Sequence, residues 1–337
     1  MERFVDLIHD KKNGKELSDE NIRGMIEGFT KGDIPDYQMS AMLMAICYEG
    51  LNDRELTTMT LAMRDSGTIN DLSAIDGIKV DKHSTGGVGD KTTLIIGPIA
   101  ASCGIPIAKM SGRGLGFTGG TIDKLESIPG FHTDLSTAAF FDAVKETGIC
   151  VNGQTADLAP ADKKIYALRD ATATVESIPL IASSVMSKKL ASGSDCIVLD
   201  VTTGNGAFMK DREQALELAK KMVTIGNLSG KKTIAQLTSM EEPLGFAVGN
   251  NLEVKEAIEA LHGNGPEDLM TVCYTLAAHM ISLGKNISCE AAVKEAKESV
   301  ESGRAFDTFV KMVKKQGGDT SYILSRKRFR YRRYRQN

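Results

Sequence analysis

The sequence predicts an α/β protein with a small all-α domain and a larger α/β domain whose sheet is mixed but mainly parallel. Apolar residues recur at helical spacing through the first 65 residues, strands alternate with helices after that, and the segment 162–192 is helical again. A chain of 337 residues also exceeds one typical domain. We therefore expect a discontinuous small domain of residues 1–65 and 162–192, and an α/β domain of residues 66–161 and 193–323.

The first part of the chain carries the signals of amphipathic helices. Ser18 and the two acids after it cap a segment whose apolar residues repeat at i, i+3, i+4 and i+7. The same spacing returns over residues 39–46, and Asn52 with Glu55 has the spacing of a capping box for a third helix. The methionine-rich faces of these helices predict core packing together with a helix–helix dimer contact.

Strands and helices alternate in the rest of the chain, and this pattern predicts parallel strands covered on both faces. The predicted strands cover residues 78–80, 106–108, 196–200 and 232–237. The predicted helices cover residues 92–103, 121–126, 212–223 and 252–314.

Two glycine-rich segments follow the first two strands. The first glycine-rich loop, residues 82–93, reads KHSTGGVGDKTT, and the second, residues 109–121, reads KMSGRGLGFTGGT. Glycine lets several backbone N–H groups turn toward one point, while lysine and hydroxyl side chains supply charge and short hydrogen bonds. Both loops are expected at the carboxyl edge of the sheet, where α/β proteins bind ligands. The sequence therefore predicts a phosphate site.

Other anion-binding motifs fit less well. Residues 114–119 match G-x-G-x-x-G, and Asp134 follows at the distance of a dinucleotide fingerprint. That motif needs an apolar strand ending at the acid, and residues 127–132 are a poor strand. A Walker A loop is excluded because Asp90 interrupts it.

Composition narrows the class of protein. No apolar stretch reaches the roughly 18 residues of a membrane span, and the N-terminus does not resemble a signal peptide. The cysteines are scattered without a C-x-x-C pair, which is typical of reduced thiols and predicts a cytoplasmic protein. They are Cys47, Cys103, Cys150, Cys196, Cys273 and Cys289.

The end of the chain differs from the rest in charge. Residues 324–337 hold seven basic residues and no acidic one, whereas the whole chain has a net charge of −3. The body is therefore acidic, which argues against a nucleic-acid surface on the main fold. The tail itself is either a basic arm for nucleic acid or a segment foreign to the fold.

Four longer stretches resemble one enzyme family. Residues 111–126 look like the signature of the thymidine and pyrimidine nucleoside phosphorylases, and residues 80–90 resemble their phosphate loop. Residues 162–174 and 177–189 are similar to their pyrimidine-binding stretch, and the resemblance covers about residues 1–323 in order. It implies a class II nucleoside phosphorylase fold, similar to phosphoribosyltransferases, that assembles as a homodimer. It also implies phosphorolysis of uridine, thymidine or deoxyuridine, with inorganic phosphate as co-substrate.

The resemblance implies roles for individual residues. Phosphate would be held by Lys82, Ser84, Thr93, Lys109, Ser111 and Thr121. The pyrimidine would be bound by Arg169, Ser184 and Lys188. His83 would stand near the glycosidic bond, and a histidine pKa near neutrality would let it protonate the pyrimidine O2 or hold the sugar. A potassium ion would be bound by Gly89, Lys91 through its backbone, Leu244, Ala247 and Glu256.

The sequence departs from the family at several points. Phe117 stands where many relatives have histidine, and Thr202 and Asn205 replace a usual lysine and a small residue. The family's C-terminal β-rich domain is not recognisable after residue 323, so reduced stability or activity is expected. Three alternatives stay open: an anthranilate phosphoribosyltransferase-like enzyme, an inactive truncated homologue, and an RNA-binding module that uses the basic tail.

Overall fold

The computed structural model describes residues 2–114, 118–155 and 157–325. The basic residues 326–337 and Phe117 therefore lie outside the described residues. The first helices are α1 Phe4–Lys11, α2 Asp19–Lys31, α3 Asp36–Glu49 and α4 Asp53–Asp65. Strands and helices then alternate as β1 Val80–Ser84, α5 Thr92–Ser102, β2 Ile107–Ser111, α6 Thr121–Leu125, α7 Thr137–Thr147, β3 Ile149–Gly153, α8 Pro160–Ala171, α9 Ile178–Ala191, β4 Cys196–Thr203, α10 Arg212–Leu228 and β5 Lys232–Ser239. The last helices are α11 Asn250–Leu261, α12 Glu267–Lys285, α13 Cys289–Glu301, α14 Arg304–Lys315 and α15 Thr320–Leu324.

The helical signals at the N-terminus are confirmed. The Ser18 side chain accepts a hydrogen bond from Asn21 N and caps α2. Asn52 and Glu55 form the predicted reciprocal capping box at the start of α4. Apolar faces of α2, α3 and α4 pack with α8 and α9. The same core continues onto one face of β4 and onto α10.

The strands form two parallel ladders. One sheet has the order β1-β4-β5, with Val80 opposite Cys196 and Cys196 opposite Lys232, and β2 pairs with β3 in the other. An isolated antiparallel bridge joins Gly87 to Ala207. The Lys109 ammonium of β2 donates to the Lys82 carbonyl of β1 at 2.6 Å and so ties the two sheets together.

Two strand predictions need correction. The first strand was expected at residues 78–80, whereas β1 runs from Val80 to Ser84. The polar residues Asp81 and Lys82 are typical of a loop, but each forms an ion pair with a buried side chain, so this part of the chain can remain in the sheet. Strand β3 was missed because its apolar run is short and follows a helix closely.

The strand ends determine where a ligand could bind. Strands β1 and β2 end at Ser84 and Ser111, where the first and second glycine-rich loops continue. Helix α5 begins at Thr92, at the end of the first loop, so its positive end faces the same edge. Among the described residues, no helix combines the length and apolar character needed to cross a bilayer.

Candidate active site

A cleft of about 990 Å³ lies between the carboxyl ends of β1 and β2 on one side and α8 and α9 on the other. Both glycine-rich loops line it, and so do the two helices that carry the expected pyrimidine ligands. Of the predicted substrate residues, those that line the cleft are His83, Ser84, Thr93, Lys109, Ser111, Thr121, Arg169, Ser184 and Lys188. The structure therefore brings the predicted substrate residues together, with the exception of Lys82.

The first glycine-rich loop has little room for side chains. Gly87 has a φ of +152°, and a Cβ added there would lie 2.0 Å from Met240 Sδ and 2.8 Å from Gly206 O. Thr202, one of the departures from the family, donates its hydroxyl to Gly86 O at 2.5 Å. Its backbone N–H donates to Thr85 Oγ1 at 2.9 Å. Thr202 therefore holds the first glycine-rich loop in place through these two hydrogen bonds, and it does not line the cleft.

The hydroxyls of this site are half-buried at the cleft wall. Ser84, Thr93, Ser111 and Thr121 each retain partial exposure and line the cavity. Ser84 Oγ also accepts a hydrogen bond from Gly86 N at 3.1 Å, which shapes the turn after β1. These groups can all donate short hydrogen bonds to one anion.

Lys82 lies away from the cleft. Its side chain is 2% exposed, forms an ion pair with Asp200 at 2.9 Å and donates to Thr92 Oγ1 at 2.5 Å. Burial opposes the charge, but Asp200 and Asp90 outweigh it and raise the pKa of Lys82. Lys82 therefore supports the first turn of α5 and does not itself line the cleft, although it lies 3.9 Å from Asp90, which does.

Lys109 belongs to a buried charge cluster. Its ammonium contacts Asp81 Oδ1 at 3.1 Å, and Lys189 of α9 contacts Asp81 Oδ2 at 2.7 Å. Burial works against the Asp81 carboxylate, yet the two lysines lower its pKa to about 2. Burial, with Lys189 as a like charge, lowers the pKa of Lys109 to about 8 despite Asp81. One carboxylate thus balances two ammonium groups, and a net positive charge remains at the cleft wall.

His83 is held in its neutral form. Burial first, and then the nearby charges of Lys189 and Lys109, lower its pKa well below the usual value of 6.5. This corrects the expectation of a pKa near neutrality. A neutral imidazole can still donate one hydrogen bond into the cleft, but it is a poor proton source at physiological pH.

An acid holds the second glycine-rich loop in shape. Asp123 Oδ2 accepts from Gly114 N at 2.6 Å and from Gly120 N at 2.9 Å, and it closes the two ends of the loop on each other. Arg113 bridges Asp123 and Glu126 at 3.1 and 2.6 Å. The Arg113 guanidinium is therefore paired with acids.

Arg169 shapes the connection between α8 and α9. Its guanidinium donates to Thr174 O at 3.2 Å, to Leu180 O at 3.0 Å and to Val175 O at 2.6 Å. The side chain is 2% exposed, and burial lowers its pKa. A guanidinium has five N–H donors, so two beyond these three bonds can face a ligand in the cleft.

Lys188 and Ser184 form a polar group on α9. The Lys188 ammonium donates to Ser184 Oγ at 3.1 Å and forms a short ion pair with Asp162 Oδ2 of α8. Asp162 is buried, and its Oδ1 has no hydrogen-bond partner among the described residues. The carboxylate lines the cleft and can accept a hydrogen bond there.

The predicted potassium ligands surround a side chain of the protein. The Lys91 ammonium contacts Leu244 O at 2.6 Å, Ala247 O at 2.8 Å and Glu256 Oε2 at 2.5 Å. Gly89 O accepts from Lys91 N at 2.8 Å. Three of the five predicted ligands, Leu244, Ala247 and Glu256, therefore converge on this ammonium, and the arrangement does not fit a metal ion because the ammonium already fills their centre.

Sequence reasoning gave no role to three charged residues of the site. Asp81 and Lys189 form the buried cluster with Lys109, and Asp162 forms an ion pair with Lys188. The sequence signal that could have identified them was a charged residue at a position that the fold must bury. Asp81 stands in β1, and Lys188 and Lys189 lie about 100° apart on α9. Both lysines line the cleft, and Lys189 also contacts Asp81 of the sheet.

Family models match both parts of this architecture. A model described as the glycosyl transferase family, helical bundle domain, matches residues 5–67. A second, described as the glycosyl transferase family, a/b domain, matches residues 76–306. Fold and cleft thus define a glycosyl transferase with a helical bundle and an α/β domain.

Curated relatives narrow the family. The chain is 58% identical over 322 residues to the pyrimidine-nucleoside phosphorylase of Geobacillus stearothermophilus, covering 95% of this chain and 74% of the relative. It is 56% identical to the Bacillus subtilis (strain 168) protein of the same name over the same shares of both chains. The chain belongs to the pyrimidine-nucleoside phosphorylase family.

A solved structure gives a more distant likeness. Anthranilate phosphoribosyltransferase from Thermus thermophilus superposes with a TM-score of 0.70 at 18% identity, covering 92% of this chain and 98% of that one. At this identity the likeness concerns the fold alone, and it agrees with the phosphoribosyltransferase-like architecture expected from the sequence.

Proposed function

We propose that the protein uses inorganic phosphate to cleave pyrimidine nucleosides, giving the free base and ribose or deoxyribose 1-phosphate. Uridine, thymidine and deoxyuridine are the proposed substrates. One observation carries the proposal: a single cleft joins both glycine-rich loops to Arg169, Ser184 and Lys188. Membership of the pyrimidine-nucleoside phosphorylase family supports it.

The phosphate end of the cleft would use hydroxyls and one ammonium. We propose Ser84, Thr93, Ser111 and Thr121 as hydrogen-bond donors and Lys109 as the direct counter-charge. The buried Lys82 would support α5 instead of binding phosphate, because it does not line the cleft as Lys109 does and its ammonium contacts Asp200 and Thr92. A dianion held here is placed to stabilise positive charge on the sugar.

The base end would stabilise the leaving group. A phosphate oxygen attacks C1′, the C1′–N1 bond breaks, and its electron pair leaves with the pyrimidine. Negative charge then spreads to the ring oxygens, where the free N–H donors of Arg169 and the ammonium of Lys188 can stabilise it. His83, kept neutral, would donate a hydrogen bond to the base or the sugar. Hydrogen phosphate loses its proton as the sugar phosphate forms, and solvent would carry a proton to the base, so the charges balance.

Assembly and location are further parts of the proposal. Tyr37, Met44 and Tyr48 share one face of α3, and the two tyrosines are 74% and 83% exposed. We propose that this face forms a homodimer contact, which light scattering of Tyr48→Arg against the unchanged chain would test.

A cytoplasmic location is supported by the six free cysteines. We assign potassium no step, because Lys91 fills its predicted site.

The test is release of free base from uridine, thymidine and deoxyuridine by the purified protein, with and without phosphate. We expect release that depends strictly on phosphate. Arg169→Lys should raise KM for the nucleoside, Ser111→Ala should raise KM for phosphate, and the exposed Lys311→Ala should change neither. Turnover only with phosphoribosyl pyrophosphate, anthranilate and magnesium would overturn the proposal in favour of the phosphoribosyltransferase alternative.

A further inference from the structure

We propose that the Lys91 ammonium is a tethered cation that locks the first glycine-rich loop to the turn formed by residues 244–247, so that the protein needs no monovalent metal ion there. This clamp would govern the stability and the ion dependence of the fold. Both properties can be measured without knowing the substrate.

The contacts around Lys91 satisfy its ammonium completely. Three oxygens lie within 2.8 Å of Nζ, and the ammonium has three protons to donate. Lys91 is 0% exposed and Glu256 is 4% exposed, so water does not share these bonds. The charge of Glu256 is balanced by the lysine, while Leu244 and Ala247 contribute only carbonyl oxygens.

Glu256 also organises the turn itself. Its Oε1 accepts from Phe246 N at 2.9 Å, and its Oε2 accepts from Ala247 N at 3.1 Å as well as from Lys91. Carbonyl and carboxylate oxygens converge on one buried point, and such a group is stable only with a positive charge at its centre. A cation is therefore a structural requirement of this turn.

The turn packs directly against the first glycine-rich loop. Leu244 N donates to Val88 O at 3.2 Å, and a Cβ on Gly89 would lie 2.7 Å from Leu244 O. A Cβ on Gly245 would meet Glu256 Oε2 at 2.5 Å and Lys91 Nζ at 3.1 Å. The space around the oxygens is thus filled, and a metal ion could enter only if the lysine left.

The consequence for the cleft follows from the position of Lys91 in the chain. Lys91 is the N-terminal flanking residue of α5, two residues before Thr93, which lines the cleft. A lysine anchored to Glu256 of α11 fixes where α5 begins and so fixes that hydroxyl. Lys91 is a positioning residue for the cleft, which it does not line.

The first measurement uses the unaltered protein. We expect the same melting temperature in potassium chloride and in tetramethylammonium chloride at equal ionic strength, because the lysine already fills the site and leaves potassium no place to bind. Tetramethylammonium is the reference salt because so bulky an ion cannot enter a buried oxygen cage. Activity should also be equal in the two salts. A melting temperature that rises with potassium along a saturable curve, while tetramethylammonium has no effect, would overturn the proposal.

A matched pair of variants separates charge from volume. Lys91→Ala removes the charge and leaves space, so its melting temperature should fall by roughly 5–10 °C in tetramethylammonium chloride and recover in potassium chloride. Lys91→Met removes the charge but fills the space, so potassium should not restore it. The exposed Lys311→Met is the control and should behave like the unaltered protein in both salts.

Activity gives an independent readout in the same variants. Displacing Thr93 should lower kcat/KM of Lys91→Ala by about 10- to 100-fold, chiefly through KM for phosphate. Potassium should restore both kcat/KM and KM for phosphate in this variant. If Lys91→Ala keeps its melting temperature and its phosphate KM in tetramethylammonium chloride, the ammonium has no clamping role and the proposal fails. If no variant folds, the salt comparison on the unaltered protein still decides.

Discussion

Replacing His83 with alanine tests how the cleft stabilises the leaving base. Burial and the charges of Lys189 and Lys109 hold the pKa of His83 well below 6.5, so its ring is neutral across the physiological range. It can then act only by donating one hydrogen bond. A donor aimed at an oxygen on which negative charge develops contributes about 3–4 kcal/mol, or 10²- to 10³-fold in kcat. We expect His83→Ala to lose that factor in kcat while KM for phosphate stays within about twofold.

The pH profile of phosphorolysis separates the two possible roles of this residue. A neutral donor is fully present above its folded pKa and loses activity only when the pH falls through that lowered value. We therefore expect kcat/KM for uridine to be flat between about pH 6 and pH 7.5. His83→Gln, whose side-chain amide can still donate an N–H hydrogen bond, should recover part of the loss.

The assay is initial-rate release of uracil at saturating phosphate, with the binding of phosphate measured separately. A profile that falls with a pKa near 6.5 in the unaltered protein and becomes flat in His83→Ala would refute the reasoning. It would mean that the imidazole titrates as an acid or a base. An unchanged rate in His83→Ala would remove the residue from the chemistry altogether.

Three other predictions follow from the site. Because the pKa of Lys109 is about 8, its charge is lost as the pH rises through that value, so KM for phosphate should increase between pH 7 and pH 9. Lys109→Arg keeps its charge over this pH range, so its KM for phosphate, measured from saturation curves, should change little. An equal increase in KM for the variant and for the unaltered protein would contradict the assignment. Asp162→Asn should raise KM for the nucleoside by about tenfold, because Lys188 loses its ion-pair partner, and an unchanged KM would show that Lys188 needs no such support. Gly87→Ala should lower the free energy of unfolding by about 2–4 kcal/mol in urea titrations, whereas Gly230→Ala, with positive φ but open space, should cost about 1 kcal/mol; equal losses would show that strain and not the clash dominates.

Local patterns in the sequence were sufficient to predict the N-terminal helices and the sheet edge at which the glycine-rich loops lie, but they missed α7. Ser18 and the Asn52–Glu55 pair marked helix starts correctly because capping depends only on neighbours within one turn. The two glycine-rich loops marked the ligand edge because glycine and hydroxyl residues recurred directly after strands. The family resemblance then supplied the residues of the base end, which periodicity alone did not single out.

Side-chain orientation could not be read from the sequence. Lys82 was expected to bind phosphate, but it does not line the cleft, and its ammonium pairs with Asp200, which is more than 100 residues away in the chain. Lys91 was expected to act through its backbone, yet its ammonium meets Leu244 O and Glu256 across a similar separation. Long-range pairing of charges decides such cases, and it depends on the assembled fold.

The central claim is that one cleft binds phosphate and a pyrimidine side by side. A crystal structure of the protein with phosphate and an unreactive pyrimidine nucleoside analogue tests this directly. We expect the phosphate oxygens within hydrogen-bond distance of Ser84 and Ser111, and the pyrimidine ring against Arg169 and Lys188. Phosphate bound elsewhere, or a base bound outside the space between the loops and α9, would contradict the account.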